Sequence, residues 1–267
     1  MSAIRVAVTG ASGKMAREVV DAICRDAGLD LVGATSRGAA PGDTLQRPDR
    51  ATAVPLFADL EELLDQCHPQ VVVDFTHAAA VPAMARGCIE HGVRPVIGTS
   101  GVPAAEVEAI ADLCRERRVG GVLAANFALG AVLMMAMARL AAPHFDQAEI
   151  IELHHDQKAD APSGTALATA AAMGTARGRP FTRPETTREN LAGSRAASLE
   201  GVTIHSVRLA GLAAHQEVIF GGLGQTLTIR HDTMGRDCYM PGVLLAIKRS
   251  VELQELVVGL DSLLGLT

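Results

Sequence analysis

Short β-branched runs alternate with helix-length patterns through the first half of this chain, and that alternation restricts the fold more than any other feature. The runs are residues 4–9, 31–34, 71–75, 93–97 and 119–124. Each is apolar along most of its length, as strands covered on both faces are. Between them lie helical patterns at 14–27, 60–66, 79–91 and 103–117. Strand–helix alternation predicts a parallel sheet with right-handed crossovers.

The pattern changes after Asn126. A helix at 129–142 leads to a strand at 148–153 and a second helix from Thr165. Residues 177–200 are polar and rich in Arg, Thr and Pro, and read as a long loop. Strands follow at 202–209, 215–221 and 225–231, the last two joined by a hairpin turn at Gly221-Gly222-Leu223-Gly224. Successive strands without helices predict a mixed or antiparallel sheet in a second domain. Residues 243–249 and the apolar tail to Leu264 read as helical, packing back on the first domain. The expected fold class is α/β: a Rossmann-like N-terminal domain with a parallel sheet, plus an α+β C-terminal domain. The expected division is 1–126 with 236–267, and 127–235.

Composition excludes several classes. With 267 residues, 48 % of them apolar, the chain can bury a large core. A net charge of −6 gives no basic footprint, so no nucleic-acid partner is expected. The most apolar run, 128–138, falls far short of the ~20 residues a membrane span needs. No signal peptide is visible, and a cytoplasmic location is expected. The five cysteines (Cys24, Cys67, Cys88, Cys114 and Cys238) are scattered, without C-x-x-C spacing. They read as small buried hydrophobes in a reducing compartment.

The first strand runs into Gly10-Ala11-Ser12-Gly13-Lys14-Met15-Ala16. Gly10 permits a tight turn, Gly13 lets a phosphate approach the backbone at a helix start, and Ala16 allows close helix–strand packing. The spacing is G-x-x-G-x-x-A, and its place on a β–turn–α unit points to a nucleotide. At the end of the second strand, Ser36 stands where an acid would bind the ribose hydroxyls of NAD, and Arg37 follows. A hydroxyl beside a guanidinium suits a 2′-phosphate, so NADPH is expected to serve at least as well as NADH. Gly98-Thr99-Ser100 and Ala124-Ala125-Asn126-Phe127 also follow strands, where open α/β sheets place ligands.

The densest chemistry is in Glu152-Leu-His154-His155-Asp156-Gln-Lys158-Ala-Asp160-Ala-Pro-Ser163-Gly164-Thr165. Ser163 suits a helix cap, and the free amides behind it attract anions such as a carboxylate. His154 and His155 at a strand end point to opposite sides. A histidine near neutrality can exchange a proton, and Lys158 can donate one. A metal site built from His154, His155 and the aspartates is the weaker alternative. H-H-D lacks the helical spacing that puts two ligands on one face, and Lys158 adds a cation. A structural polar loop is the third.

On these motifs, with Asp74-Phe75-Thr76 and the later segments 204–209, 214–221 and 238–242, the chain resembles the 4-hydroxy-tetrahydrodipicolinate reductase (dihydrodipicolinate reductase) family along nearly its whole length. The resemblance implies an N-terminal dinucleotide-binding domain, a C-terminal substrate-binding and oligomerisation domain, and a homotetramer. It implies an oxidoreductase of lysine and diaminopimelate biosynthesis, taking hydride from NADPH or NADH to a small cyclic dicarboxylate with loss of water. His154 would exchange a proton and Lys158 donate one. His155, Gly164 and Thr165 would bind substrate. Gly10, Ala11, Ser12, Gly13, Lys14, Met15, Gly98, Thr99, Ser100, Ala124, Ala125, Asn126 and Phe127 would hold the dinucleotide, joined by Arg37 from the residue reading. No metal is expected. Two departures stand out: Ala16 for the family's usual glycine, and Ser36 for its usual acid. A non-catalytic NAD(P)-sensing protein and a metal-dependent hydrolase are the alternative functions.

Overall fold

A computed structural model of the protein describes residues 2–48 and 52–266. The chain forms two compact units: Met1–Leu129 with Arg236–Thr267, and Gly130–Gly235.

The first unit carries β1 (Ile4–Val8), α1 (Lys14–Arg25), β2 (Leu29–Thr35), β3 (Thr44–Leu45), β4 (Val54–Phe57), α2 (Leu60–Cys67), β5 (Val71–Asp74), α3 (Val81–Glu90), β6 (Arg94–Ile97), α4 (Ala104–Arg117) and β7 (Gly121–Leu123). Its helix borders follow local chemistry. Asp59 accepts the amide of Glu62 at 3.2 Å to cap α2. Helix α2 then ends at His68 in the left-handed region.

The sheet runs β13-β7-β6-β5-β1-β2-β4-β3, where β13 is Leu256–Val258 from the end of the chain. The pairs from β13 through β4 are parallel, and among the described residues of this sheet only the short β3–β4 pair is antiparallel. Strand β1 has β2 on one side and β5 on the other, so the order reverses there. The carboxyl ends of β1 and β5 therefore flank a topological switch point, where such sheets bind ligands. Helices α2, α3 and α4 bury Leu63, Met84, Cys88 and Ile110 against one face. Helix α1 packs beside α7 (Met240–Ser250). The expected Rossmann-like parallel sheet is present.

The tail departs from expectation. Residues 240–250 are helical, but 256–258 form a strand parallel to β7, with Leu256 beside Gly121. The run Leu256-Val257-Val258 is too short and β-branched to sustain a helix, and Gly259, at φ +85°, breaks it. A Cβ on Gly120 would lie 2.5 Å from the Leu253 carbonyl oxygen, so a glycine there lets the returning chain close in. Strands β3 and β4 also stand where no strand is expected.

The second unit carries α5 (Leu129–Ala141, whose first residue closes the first unit), β8 (Gln147–His154), α6 (Gly164–Arg177), β9 (Ala197–Leu199), β10 (Val202–Arg208), β11 (Ala214–Gly222) and β12 (Gln225–Thr233). Strand β9 lies inside the stretch expected to be loop. The sheet order is β12-β11-β8-β10-β9, with β8 and β10 parallel and the other pairs antiparallel. This is the mixed sheet expected of the second half. Helices α5 and α6 bury Met134, Ala138, Ala170 and Met173 against Ile150, Ile204, Val218 and Phe220. The alternate residues Glu149, His205, Glu217 and Arg230 lie on the sheet's other face. Four of the five cysteines, Cys24, Cys67, Cys88 and Cys114, are buried.

Candidate active site

In the first unit the geometry gathers four strand ends. Gly10, at φ +63°, turns the chain after β1, and a Cβ there would meet the Thr76 methyl at 2.8 Å. A side chain at this position is excluded twice, by backbone conformation and by space. Gly13 precedes α1, which has no side-chain cap and no acid in its first turn. Its free amides suit an anionic group. The Ala11 amide donates to the Thr35 carbonyl at 2.8 Å. Ser12, Gly13 and Lys14 are exposed, Met15 is half-buried and Ala16 is buried.

Asp74, buried at the end of β5, ties these loops together. One oxygen accepts the hydroxyls of Thr9 at 2.6 Å and Thr76 at 2.8 Å. The other accepts the Thr99 hydroxyl at 2.7 Å and the Thr76 amide at 3.3 Å. One carboxylate thus fixes the ends of β1, β5 and β6. The backbone adds Gly98 N–H to the Asp74 carbonyl at 2.8 Å and Ala124 N–H to that of Ile97 at 3.0 Å. Phe127 is buried against Phe75, with ring centroids 5.7 Å apart. A Cβ on Gly98 would fall 2.0 Å from the Phe75 ring. Asn126 caps the next turn by accepting the Ala128 amide at 2.9 Å. Ser100 and Ala125 are exposed. The segments around Gly10, Thr99 and Ala124 therefore share one sheet edge. Arg37 is exposed just beyond the end of β2, whose Thr35 bonds the Gly10–Ala11 turn.

In the second unit the helix-covered face of β8 reads Ala148, Ile150, Glu152, His154, turning from apolar to polar along the strand. Glu152 is fully buried. Its carboxylate accepts both guanidinium nitrogens of Arg208 at 2.9 Å, His154 Nδ1 at 2.5 Å and the Ser163 amide at 3.2 Å. Parallel pairing sets Arg208 beside His154 and Ser206 beside Glu152. Burial pushes the Glu152 carboxyl up. The hydrogen bonds from Arg208, Ser206 and His154 outweigh burial and hold it below the usual carboxylate range. Burial draws His154 below the ordinary imidazole value. Glu152 opposes this, and the charges of Lys158 and Arg208 add to it. A neutral His154 near physiological pH can accept a proton.

Lys158 is largely buried and pairs with Asp160 at 2.6 Å, which holds the Asp160 carboxyl low. Ser163 caps α6 by accepting the Ala166 amide at 3.2 Å. The amides of Gly164 and Thr165 meet no acceptor among the described residues. Nothing lies within 4 Å of a Cβ built on Gly164, so the helix start is open. His155 follows the end of β8 and is exposed. Glu152, Arg208 and Asp74 received no role from the sequence. Glu152 was within reach, because two residues along a strand share a face. Arg208 was not, because it depends on pairing across 56 residues.

Residues 4–127 match the family model for the N-terminus of dihydrodipicolinate reductase, and residues 130–264 match that for its C-terminus. The 4-hydroxy-tetrahydrodipicolinate reductase of Dehalococcoides mccartyi is 49% identical over 267 residues, covering 100% of both chains. That of Moorella thermoacetica is also 49% identical, covering 99% of both. Among solved structures, dipicolinate-bound dihydrodipicolinate reductase from Paenisporosarcina sp. TG-14 superposes with a TM-score of 0.88 at 42% identity, covering 97% of this chain and 99% of that one. An amine dehydrogenase from Mycobacterium smegmatis shares the fold, with a TM-score of 0.64 at 18% identity.

Proposed function

The chain belongs to the dihydrodipicolinate reductase family, and on that premise we propose that it reduces 4-hydroxy-tetrahydrodipicolinate to tetrahydrodipicolinate and water at the expense of NADH or NADPH. The observation that carries this is the second unit's polar end: a histidine fixed on a buried carboxylate, a paired lysine, and an open helix start.

The first unit suits the dinucleotide. Gly10 and Gly13 clear the approach to uncapped amides of α1, and Lys14 offers a cation beside them. Ala11, Ser12, Met15, Gly98, Thr99, Ser100, Ala124, Ala125, Asn126 and Phe127 line the same sheet edge. Arg37, with Ser36, is the group that would meet a 2′-phosphate. When bound, the dinucleotide supplies the hydride; the protein supplies orientation and protons.

In the second unit, Gly164 and Thr165 offer backbone amides to one substrate carboxylate, and His155 adds a donor. Lys158 Nζ donates a proton as negative charge builds on the ring after reduction. His154 exchanges its proton at Nε2, because Nδ1 is engaged by Glu152. Lys158→Ala should lower kcat by ~10²–10⁴-fold with a smaller change in KM, the usual worth of a positioned acid.

The deciding experiment follows oxidation of NADPH and of NADH with freshly generated 4-hydroxy-tetrahydrodipicolinate. Oxidation that needs both partners is the expected result. Tight NADPH binding with no substrate-dependent oxidation would instead favour a nucleotide sensor. Stoichiometric metal in the purified protein, with activity lost to a chelator, would favour a metal-dependent hydrolase. No described helix is long and apolar enough to cross a membrane, and the protein is read as a cytoplasmic homotetramer. The second unit's sheet supports that assembly, since the face bearing Glu149, His205, Glu217 and Arg230 carries neither of the unit's helices.

A further inference from the structure

Glu152 is a charged group with no exposure to solvent, and it faces donors from Arg208, His154, Ser163 and Ser206. Its Oε2 accepts His154 Nδ1 at 2.5 Å and Arg208 Nη1 at 2.9 Å. Its Oε1 accepts Arg208 Nη2 at 2.9 Å and the Ser163 amide at 3.2 Å. An isolated carboxylate is costly in such a place; the fork of Arg208 offsets that cost. Arg208 Nη2 also donates to the Asp160 carbonyl at 2.6 Å, which ties down the loop bearing Lys158. A carboxylate only accepts, so Nδ1 of His154 carries the proton and Nε2 keeps its lone pair.

We propose that Glu152 and Arg208 are positioning residues that set His154 in its Nδ1–H tautomer and lock it to the start of α6. The proton-handling side chain and the anion-holding amides are thereby held by one carboxylate. This rests on the reading of His154 as the proton-exchanging group. The charged groups facing His154 are Glu152 on its own strand, Arg208 on β10 and Lys158 on the following loop. Asp160, paired with Lys158, tempers the last. Helix α6 presents no charge in its first turn.

The Glu152→Gln variant turns this into an observable. The new amide nitrogen must take the place of one oxygen. At the Oε1 place it would face two fixed donors, Arg208 and the Ser163 amide. At the Oε2 place it would face Arg208 and His154, and of these two only the imidazole can change role; the Ser206 hydroxyl, bonded to the same carboxylate, can turn to suit either placement. The variant should therefore switch His154 to its Nε2–H tautomer. Nitrogen NMR of the whole enzyme with labelled histidine reads that directly, with His154→Gln identifying the signal. We expect kcat to fall about 10–10²-fold, part of what a positioned acid–base group contributes, with a smaller change in KM. The acid limb of the kcat profile should move to lower pH, because the carboxylate that favours the imidazolium is gone. Arg208→Lys keeps a cation but loses the fork, and should lower kcat without switching the tautomer.

An unchanged Nδ1–H tautomer in Glu152→Gln, or a pH profile and kcat within twofold of the parent, would overturn the proposal. The two readings separate cleanly. Parental turnover in His154→Gln would refute the proton-exchange role, whereas the tautomer is read without turnover. Should Glu152→Gln fold poorly, the Arg208→Lys protein still tests the fork: kcat within twofold of the parent would overturn it.

Discussion

Asp74 shows how one side chain organises a site it need not touch. Three threonine hydroxyls from three strand ends converge on it. Each such bond contributes about 1 kcal/mol net. Asp74→Ala should therefore weaken dinucleotide binding by about tenfold or more, while kcat at saturation changes less. Initial velocities over a cofactor series would show that split. At this scale the sequence was partly legible. His154, Lys158, Gly164 and Thr165 stood out because titratable groups crowd a strand–helix junction. Asp74 and Glu152 did not, since an acid in an apolar run looks like an end rather than a hub. Nothing along the chain announces that Arg208 will stand beside His154; that is a property of strand register.

Among elements, the parallel strands and their helices could be read because period and length agree with burial. Strand β13 could not, because its conformation is decided by β7, a partner made more than a hundred residues earlier. The close fit of Gly98 under Phe75 makes a clear prediction. Gly98→Ala should force the ring off Phe127 and cost ~1–3 kcal/mol, as overpacking does, seen as a lower denaturant midpoint. Acid should loosen the β8–β10 ladder. Burial raises the carboxyls of Glu149 and Glu152, but their His and Arg partners lower them more, so both lie below the ordinary value. The stability they contribute is therefore complete above the unfolded value of ~4.3 and is lost as pH falls through the lower folded value. Thermal melts between neutral and strongly acid pH should show that loss. Glu149→Gln should blunt it.

For the whole molecule, the two units divide the chemistry: one suits a dinucleotide, the other proton exchange and anion binding. Cofactor choice belongs to this scale. Arg37→Ala should raise the Kd for NADPH about 10–10²-fold, the worth of a charge-assisted phosphate contact, and leave NADH nearly unchanged. Equal losses for both would remove Arg37 from 2′-phosphate recognition. Light scattering on the eluting protein should give the mass of four chains; a single-chain mass would refute the tetramer. The return of the chain to its first unit also has a consequence for synthesis. Seven of the eight strands of the larger sheet are translated before residue 130, yet the eighth and the helix packed beside α1 come only after the whole second unit. The part begun first is finished last. A nascent chain halted anywhere within 130–235 would present a bare β7 edge, the kind of surface that invites aggregation. Interrupted translation should thus yield insoluble fragments rather than a free-standing nucleotide-binding domain.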